Sequence, residues 1–246
     1  MLVAAAVCPH PPLLVPEAMG TAGQRDSGMD EVLAACDAAV AGLAAAGPDL
    51  TVVVGGAAAS AVHDGSAAGS LREYGIGYAV GAGEPVLPLS LTVGSWLVRR
   101  AGLEPLDGPS AGPARRGGGL SLRAVARATP APECLRLGAA IARQAPRVAL
   151  LAMGDGPARR AVGIEGAADP AADRYDAEAA AALAGADPAR LARLAPSLDD
   201  ELMVAGRAAW QVLAGAADGQ RLRGRLRCAM ARYEVSYLVA SWDLDS

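Results

Sequence analysis

The stretch Leu2-Val3-Ala4-Ala5-Ala6-Val7-Cys8-Pro9-His10-Pro11-Pro12 decides how this chain begins to fold. Its apolar half, Leu2 to Val7, predicts a buried strand, and the prolines that follow end that strand abruptly. His10 is one of two histidines in the sequence, and the prolines on both sides already restrict its backbone. Two readings follow: His10 is a functional imidazole at the rim of a sheet, or it is a hydrogen-bonded loop residue.

Strand and helix patterns alternate after this first strand. A helix is predicted from Ser27, and a short β-branched strand, Leu50 to Val54, follows the stop at Gly47-Pro48. The order strand, helix, strand predicts a right-handed crossover and a parallel pair. Arg147 to Met153 predicts another buried strand, which runs directly into Gly154-Asp155-Gly156.

Further predicted elements extend this alternation to the end of the chain. The helices cover Ser90 to Arg100, Pro132 to Gln144, and Asp173 to Ala216 with a break at Asp187-Pro188; the strands cover Gly77 to Gly83, Leu120 to Ala128, Leu222 to Met230 and Val235 to Trp242. No linker-like or repeated segment interrupts them. We therefore predict one α/β domain, residues 1–246, with a central, mostly parallel or mixed sheet and helices on both faces.

Composition narrows the classes of protein to which this chain can belong. Apolar residues make up 52% of the sequence and phenylalanine does not occur, so the core is predicted to consist of small and branched aliphatic side chains. The net charge is −4 and the arginines form no stripe with interleaved aromatic residues, which argues against nucleic-acid binding. No apolar run reaches the ~18 residues that cross a bilayer. We expect no membrane partner, a cytoplasmic location and free thiols at the four cysteines.

Three segments with chemically useful side chains follow predicted strands. They are Cys8 to Pro12, the loop from Gly55 to Gly65 that holds His63-Asp64, and Gly154 to Gly156. Because ligands of open α/β sheets bind at the carboxyl ends of strands, these segments are predicted to meet at one edge. Two histidines and one carboxylate form the facial triad of non-haem iron(II), which leaves positions for a substrate and dioxygen. The candidate carboxylates are Glu17, Asp64, Glu201 and Glu234.

The segment Val7-Cys8-Pro9-His10-Pro11-Pro12-Leu13-Leu14 resembles the start of the catalytic B subunits of class III extradiol ring-cleaving dioxygenases, including an actinobacterial branch of that family. In the family a histidine after the first strand is an iron ligand, and His10 matches it. The region from Tyr175-Asp176 to Trp210 and Gly215-Ala216 is similar to the family's C-terminal helical region. The resemblance implies the α/β fold of these subunits and an iron(II) cofactor.

The chain departs from the family pattern at three places. The family's second histidine ligand directly follows the second strand, where this chain has Gly55-Gly56-Ala57 and places His63 several residues later. The turn before Trp210 reads Gly206-Arg207-Ala208-Ala209 and lacks the family's glutamate ligand. The place of the family's catalytic histidine reads Gly154-Asp155-Gly156. These departures predict an incomplete ligand set and a ring-opening activity that is not intact.

The resulting metal-site hypothesis assigns His10 as a ligand, with His63 and Glu234 completing the set and Asp155 as the acid or base. Each of the last three has a second reading. His63 is also typical of a solvated loop, Glu234 of a solvent-facing position on the last strand, and Asp155 of a turn or a helix cap near Pro157.

An anion site is the other hypothesis for the segment after the buried strand at Arg147 to Met153. The amides of Gly154 and Gly156, together with Arg159, would hold a carboxylate or phosphate at the N-terminus of a helix that begins near Pro157.

Three functions remain open at this stage. The first is an iron(II)-dependent extradiol-dioxygenase-like protein, with another divalent metal as a variant. The second is a degenerate family member that binds a small anionic ligand or a protein partner without redox chemistry. The third is a hydrolase with a metal-bound water. Across these functions the expected partner is a small molecule, aromatic or anionic. The Ala-rich helices are compatible with a homo-oligomer, and residues 107–119, rich in Gly, Pro and Arg, predict a mobile loop that could act as a lid.

Overall fold

A computed structural model describes residues 1–19, 27–103, 118–159, 161–162 and 167–245. Within these ranges the strands are β1 (Leu2–Cys8), β2 (Leu50–Ala57), β3 (Ala61–Asp64), β4 (Ala67–Ser70), β5 (Ala79–Val80), β6 (Ala82–Pro85), β7 (Gly119–Ala126), β8 (Val148–Met153), β9 (Ala161–Val162), β10 (Ala167–Ala168), β11 (Leu222–Arg232) and β12 (Val235–Leu244). The α-helices are α1 (Ser27–Ala45), α2 (Leu89–Arg100), α3 (Ala131–Ile141), α4 (Pro170–Ala184), α5 (Pro188–Ala192), α6 (Asp199–Leu202) and α7 (Arg207–Ala217).

A seven-stranded mixed sheet with the order β11-β12-β1-β8-β2-β7-β3 forms the centre of the fold. The four inner strands β1, β8, β2 and β7 are parallel, whereas β12 and β11 on one side and β3 on the other are antiparallel to their neighbours. The predicted α/β class with a mixed sheet is therefore confirmed. The strands β1 and β2 are parallel, as their crossover predicts, but β8 lies between them.

Helices cover both faces of this sheet, so the apolar runs of the inner strands are buried on both sides. On one face α1 and α2 pack their apolar residues, including Met29, Cys36 and Trp96, against the sheet. On the other face α3, α4, α5 and α7 form a second core around Trp210 and Trp242. All seven residues of β1 are buried, which explains why a strand of small apolar side chains forms here.

The glycine pair Gly55-Gly56 lies inside β2 and does not end the strand, contrary to the prediction. A Cβ atom at Gly55 would overlap the side chain of Ser90, and one at Gly56 would lie 2.9 Å from the carbonyl oxygen of Ala205. The hydroxyl of Ser90 donates to the carbonyl of Gly56 at 2.8 Å. The glycines are needed because α2 and the segment before α7 approach the strand closely.

Two long helices were predicted between Asp173 and Ala216, and the second of them is divided in the structure into α6 and α7. The helix α6 ends at Leu202; Met203, which follows it, has a left-handed φ of 54°, and α7 begins at Arg207. Leu202 and Trp210 therefore lie on different helices. Position 203 holds neither glycine nor proline, so the sequence gives no local signal of this break.

Two remaining expectations concern membranes and a lid. Within the described ranges, none of the helices combines the length and apolar character that a bilayer crossing requires. The predicted lid at residues 107–119 falls outside the described residues except for Gly118 and Gly119, of which Gly119 begins β7.

Candidate functional site

The carboxyl ends of β1 and β8 lie side by side at one edge of the sheet. Cys8 is the register partner of Met153, and the amide of Gly154 donates to the carbonyl of Cys8 at 2.9 Å. The two chain segments that leave these strands are therefore adjacent, as the strand-end argument predicts for Cys8 to Pro12 and Gly154 to Gly156. Ligand sites in sheets of this type form at such edges.

His10 and Asp155 form the central pair at this edge. The backbone amide of His10 donates to Oδ1 of Asp155 at 2.8 Å, and Nδ1 of the imidazole lies 3.6 Å from the same oxygen. The second distance is too long for a hydrogen bond. His10 is only 8% exposed, and its Nδ1 has no hydrogen-bond partner among the described residues. A buried ring nitrogen without a partner is energetically unfavourable, which makes it a candidate contact for a ligand.

Asp155 therefore has a role that neither of its sequence-based readings contains. Residues 157–159 are not helical, so the predicted helix near Pro157 is wrong and Asp155 caps no helix. Its side chain instead fixes the backbone at His10, and its own carbonyl accepts the amide of Ala205 at 3.2 Å. Asp155 thus connects the ends of β1 and β8 to the segment that precedes α7.

The predicted anion site at Gly154, Gly156 and Arg159 is not formed as expected. The amide of Gly154 is used by Cys8, and the amide of Gly156 donates to the carbonyl of Ser236 at 2.9 Å. Arg159 is exposed and does not lie at the N-terminus of a helix. Both glycine amides are therefore occupied by backbone carbonyls, and the close packing of Gly154 against Gly206 explains why glycine stands there.

His63 lies at the opposite side of the sheet from His10. It belongs to the edge strand β3, and the register connects it across the sheet through Leu122, Val53 and Leu151 to Ala6. Four interstrand spacings of roughly 4.8 Å place about 19 Å between β3 and β1. His63 and His10 therefore cannot bind one metal ion, and the predicted loop around His63 is partly a strand.

Glu234 is exposed at the tip of the hairpin between β11 and β12, and is not on a strand as predicted. Tyr233 and Glu234 have φ values of 52° and 62°. Two consecutive left-handed residues are typical of a two-residue type I′ turn. The carboxylate of Glu234 faces solvent in this turn, which agrees with the solvent-facing alternative that the sequence left open.

The three predicted metal ligands are thus in three different places. Among the described residues no group of three or more His, Cys, Asp or Glu side chains is arranged to hold a metal ion. At the edge of β1 and β8, the imidazole of His10 and the carboxylate of Asp155 lie side by side. The facial triad of His10, His63 and Glu234 does not fit an iron(II) ion.

Two buried donors, one of them next to this edge, were not singled out from the sequence as functional. The hydroxyl of Tyr175 and Nε1 of Trp210 have no hydrogen-bond partner among the described residues. The indole nitrogen lies against Gly154, since a Cβ atom there would be 3.1 Å from it. Burial, with Asp199 nearby, raises the pKa of Tyr175 far above its usual value and keeps the phenol neutral. The only sequence signal that could have pointed to them is the similarity of the region from Tyr175 to Trp210 to the C-terminal helical region of the dioxygenase subunits.

Tyr237 belongs to the same neighbourhood. Burial raises its pKa to about 12, and the negative charge of Asp155 acts in the same direction. The adjacent Ser236 donates its hydroxyl to Asp176, and its backbone amide donates to the carbonyl of Pro157 at 2.9 Å. The start of β12 therefore holds the 154–157 segment in place. The neutral phenol of Tyr237 is a potential hydrogen-bond donor there.

Comparisons with known proteins establish a fold likeness and no more. No protein-family model matches the chain, and no curated protein matches it. Among the solved structures that match is the crystal structure of the uncharacterized protein JW3007 from Escherichia coli K12, with a TM-score of 0.54 and 15% sequence identity. The match covers 98% of this chain and 99% of the other. At this identity the likeness concerns the fold.

Proposed function

We propose that this protein binds a small hydroxylated aromatic or anionic molecule at the carboxyl edge of β1 and β8, without redox chemistry. His10 contacts the ligand, and Asp155 is a positioning residue that holds the histidine segment. This is the degenerate-member hypothesis among the functions left open by the sequence. The aromatic character of the ligand rests on the similarity of Val7 to Leu14 to ring-cleaving dioxygenases.

One observation carries the proposal: Nδ1 of His10 is buried and has no hydrogen-bond partner in the part of the chain that the structure describes, although a carboxylate lies 3.6 Å away. A buried imidazole with an unsatisfied nitrogen is destabilising by about 1–3 kcal/mol. Asp155 does not relieve this, because its Oδ1, which accepts the backbone amide of His10, lies 3.6 Å from Nδ1. A ligand hydroxyl or carboxylate at this edge would supply a partner.

The chemistry available to the pair is hydrogen bonding and proton acceptance. A neutral imidazole accepts a hydrogen bond from a ligand hydroxyl, and the nearby carboxylate of Asp155 stabilises the imidazolium if the proton moves. Trp210 and Tyr175 offer additional neutral donors in the surrounding structure. Iron-dependent ring opening and hydrolysis by a metal-bound water are not part of the proposal, since the predicted ligand set is dispersed.

The proposal is tested by NMR of the two imidazole rings during titration with 3,4-dihydroxybenzoate, which carries both hydroxyls and a carboxylate. The variant His63→Ala assigns the signals, since His10 is then the only histidine in the sequence. We expect the His10 signals to shift and saturate while those of His63 stay in place, and Asp155→Asn to weaken binding at least tenfold. A titration to millimolar concentration that leaves the His10 signals unmoved would overturn the proposal.

A metal measurement separates the non-redox proposal from the iron hypothesis. Protein loaded with iron(II) without oxygen and then desalted is analysed for bound metal, with His10→Ala as the comparison. We expect less than stoichiometric iron and no difference between the two proteins. Stoichiometric iron that is lost in His10→Ala would contradict the non-redox proposal and favour the dioxygenase-like one.

A further inference from the structure

A cavity lies next to His63, near the end of β2 and away from the edge of β1 and β8. It has a volume of about 510 Å³ and is bounded by the end of β2, by β3 and β7, and by the segment that leads into α2. This volume lies within the ~300–1,000 Å³ that is usual for small-molecule pockets. The cavity is separate from the pair at His10, because His10 and Asp155 are not among its lining residues.

The lining combines an apolar wall with a few polar groups. Leu87, Val86 and several alanines contribute the apolar part, and His63, Ser70 and Glu73 are the polar side chains. Sites of this composition bind the apolar body of a ligand by burial and select its polar end through a small number of fixed contacts. The cavity therefore fits a small amphipathic molecule.

Charge indicates which polar end the molecule carries. Glu73 is the only acidic residue among the described lining residues, and no arginine is among them, although the chain has 22 basic residues. Among the described residues, Glu73 forms no ion pair; burial and the charge of Glu73 raise the pKa of the neighbouring Tyr74, and the charge of Arg127 lowers it. The carboxylate of Glu73 is exposed and lies near Arg127 without forming an ion pair with it. An organic ammonium group would complement this carboxylate.

We infer that this cavity binds a small primary amine with an apolar or aromatic body. The carboxylate of Glu73 pairs with the ammonium group, and the hydroxyl of Ser70 and the imidazole of His63 accept its remaining hydrogen bonds. The apolar body lies against Leu87 and Val86; Val86, at 59% exposed, has most to gain from being covered. The site is independent of the function proposed for His10.

Benzylamine is the probe for this site, and the ring signals of His63 are the reporter. We expect those signals to shift and saturate at millimolar concentration while the His10 signals stay in place. Benzyl alcohol and benzoate have the same ring without the positive charge, and each is expected to bind at least tenfold more weakly. The two histidines make a failure here distinguishable from a failure of the first proposal.

Two glutamate variants decide whether Glu73 carries the recognition. Glu73→Gln is expected to weaken benzylamine binding at least tenfold, whereas Glu84→Gln should not change it, since Glu84 is exposed on β6 but does not line the cavity. Equal binding by Glu73→Gln and the parent protein would overturn the inference. So would benzylamine titrations that leave the His63 signals unmoved, or benzyl alcohol binding as tightly as benzylamine.

Discussion

At the scale of single residues, Asp155 does more for this protein than its place in a glycine-flanked turn predicts. Its side chain accepts the backbone amide of His10 across 145 residues of sequence. The prolines around His10 restrict the backbone but offer no amide of their own. The orientation of the segment therefore depends on this one carboxylate, which is itself only 15% exposed.

The first prediction concerns this hydrogen bond. Asp155→Ala leaves the amide of His10 without its acceptor, and we expect the free energy of unfolding to fall by about 1–3 kcal/mol. Asp155→Asn retains a carbonyl oxygen in the same place and is expected to lose less than half as much. Urea unfolding of the three proteins, followed by circular dichroism, measures the difference. Equal losses in both variants would show that the charge, and not the hydrogen bond, stabilises the segment.

At the scale of elements, α3 and α7 pack through glycines on each helix. A Cβ atom at Gly138 of α3 would overlap the carbonyl oxygen of Val212, and one at Gly215 of α7 would overlap the backbone of Leu135. Because the obstacles are backbone atoms, no side-chain rotation can make room. This close approach buries Trp210, at the start of α7, against the sheet.

The second prediction compares two Gly→Ala substitutions in helices. Gly138→Ala is expected to lower the free energy of unfolding by about 1–3 kcal/mol, since the helices must separate. Gly42→Ala in α1 meets nothing closer than 3.9 Å, and is expected to raise it by about 0.5–1 kcal/mol through helix propensity. Both values come from urea unfolding under one condition. A stabilising Gly138→Ala would contradict the observed packing of α3 on α7.

At the scale of the whole molecule, burial sets how stability depends on alkaline pH. All four cysteines are buried, and burial raises the pKa of Cys36, Cys134 and Cys228. It also raises the pKa of Tyr175 and brings that of Tyr237 to about 12. The folded state therefore holds these protons more tightly than the unfolded state, and stability must fall as pH rises above the unfolded pKa values.

The third prediction isolates Tyr237 from the other groups. Its unfolded pKa is about 10, so its contribution is complete below pH 10 and is lost as pH rises through its folded pKa near 12. Tyr237→Phe lacks this loss. We expect the difference in unfolding free energy between variant and parent to be constant from pH 7 to 9. As the pH rises from 10 to 12, this difference in unfolding free energy should shift by up to about 2–3 kcal/mol in favour of the variant.

Guanidinium unfolding at several pH values checks this prediction, and the plateau below pH 9 serves as its internal control. A difference that stays constant up to pH 12 would mean that the phenol of Tyr237 titrates normally in the folded protein. Its burial beside Asp155 would then have no effect on proton binding.

The sequence by itself determined the strands and helices that depend on local pattern. Leu2 to Val7, Arg147 to Met153 and the helix from Ser27 were predicted correctly, because apolar periodicity and proline or glycine stops are local properties. It also indicated His10 as a residue at a sheet edge. It did not determine that Gly55-Gly56 continues β2, since the close approach of Ser90 and Ala205 is visible only in three dimensions.

The tertiary structure alone decided which side chains meet. The insertion of β8 between β1 and β2 brings Asp155 to His10, and the position of β3 at the far edge separates His63 from both. Strand order depends on how segments distant in sequence pack around a shared core, and no local pattern encodes it. For the same physical reason Glu73, which has no motif around it, becomes part of a cavity beside His63.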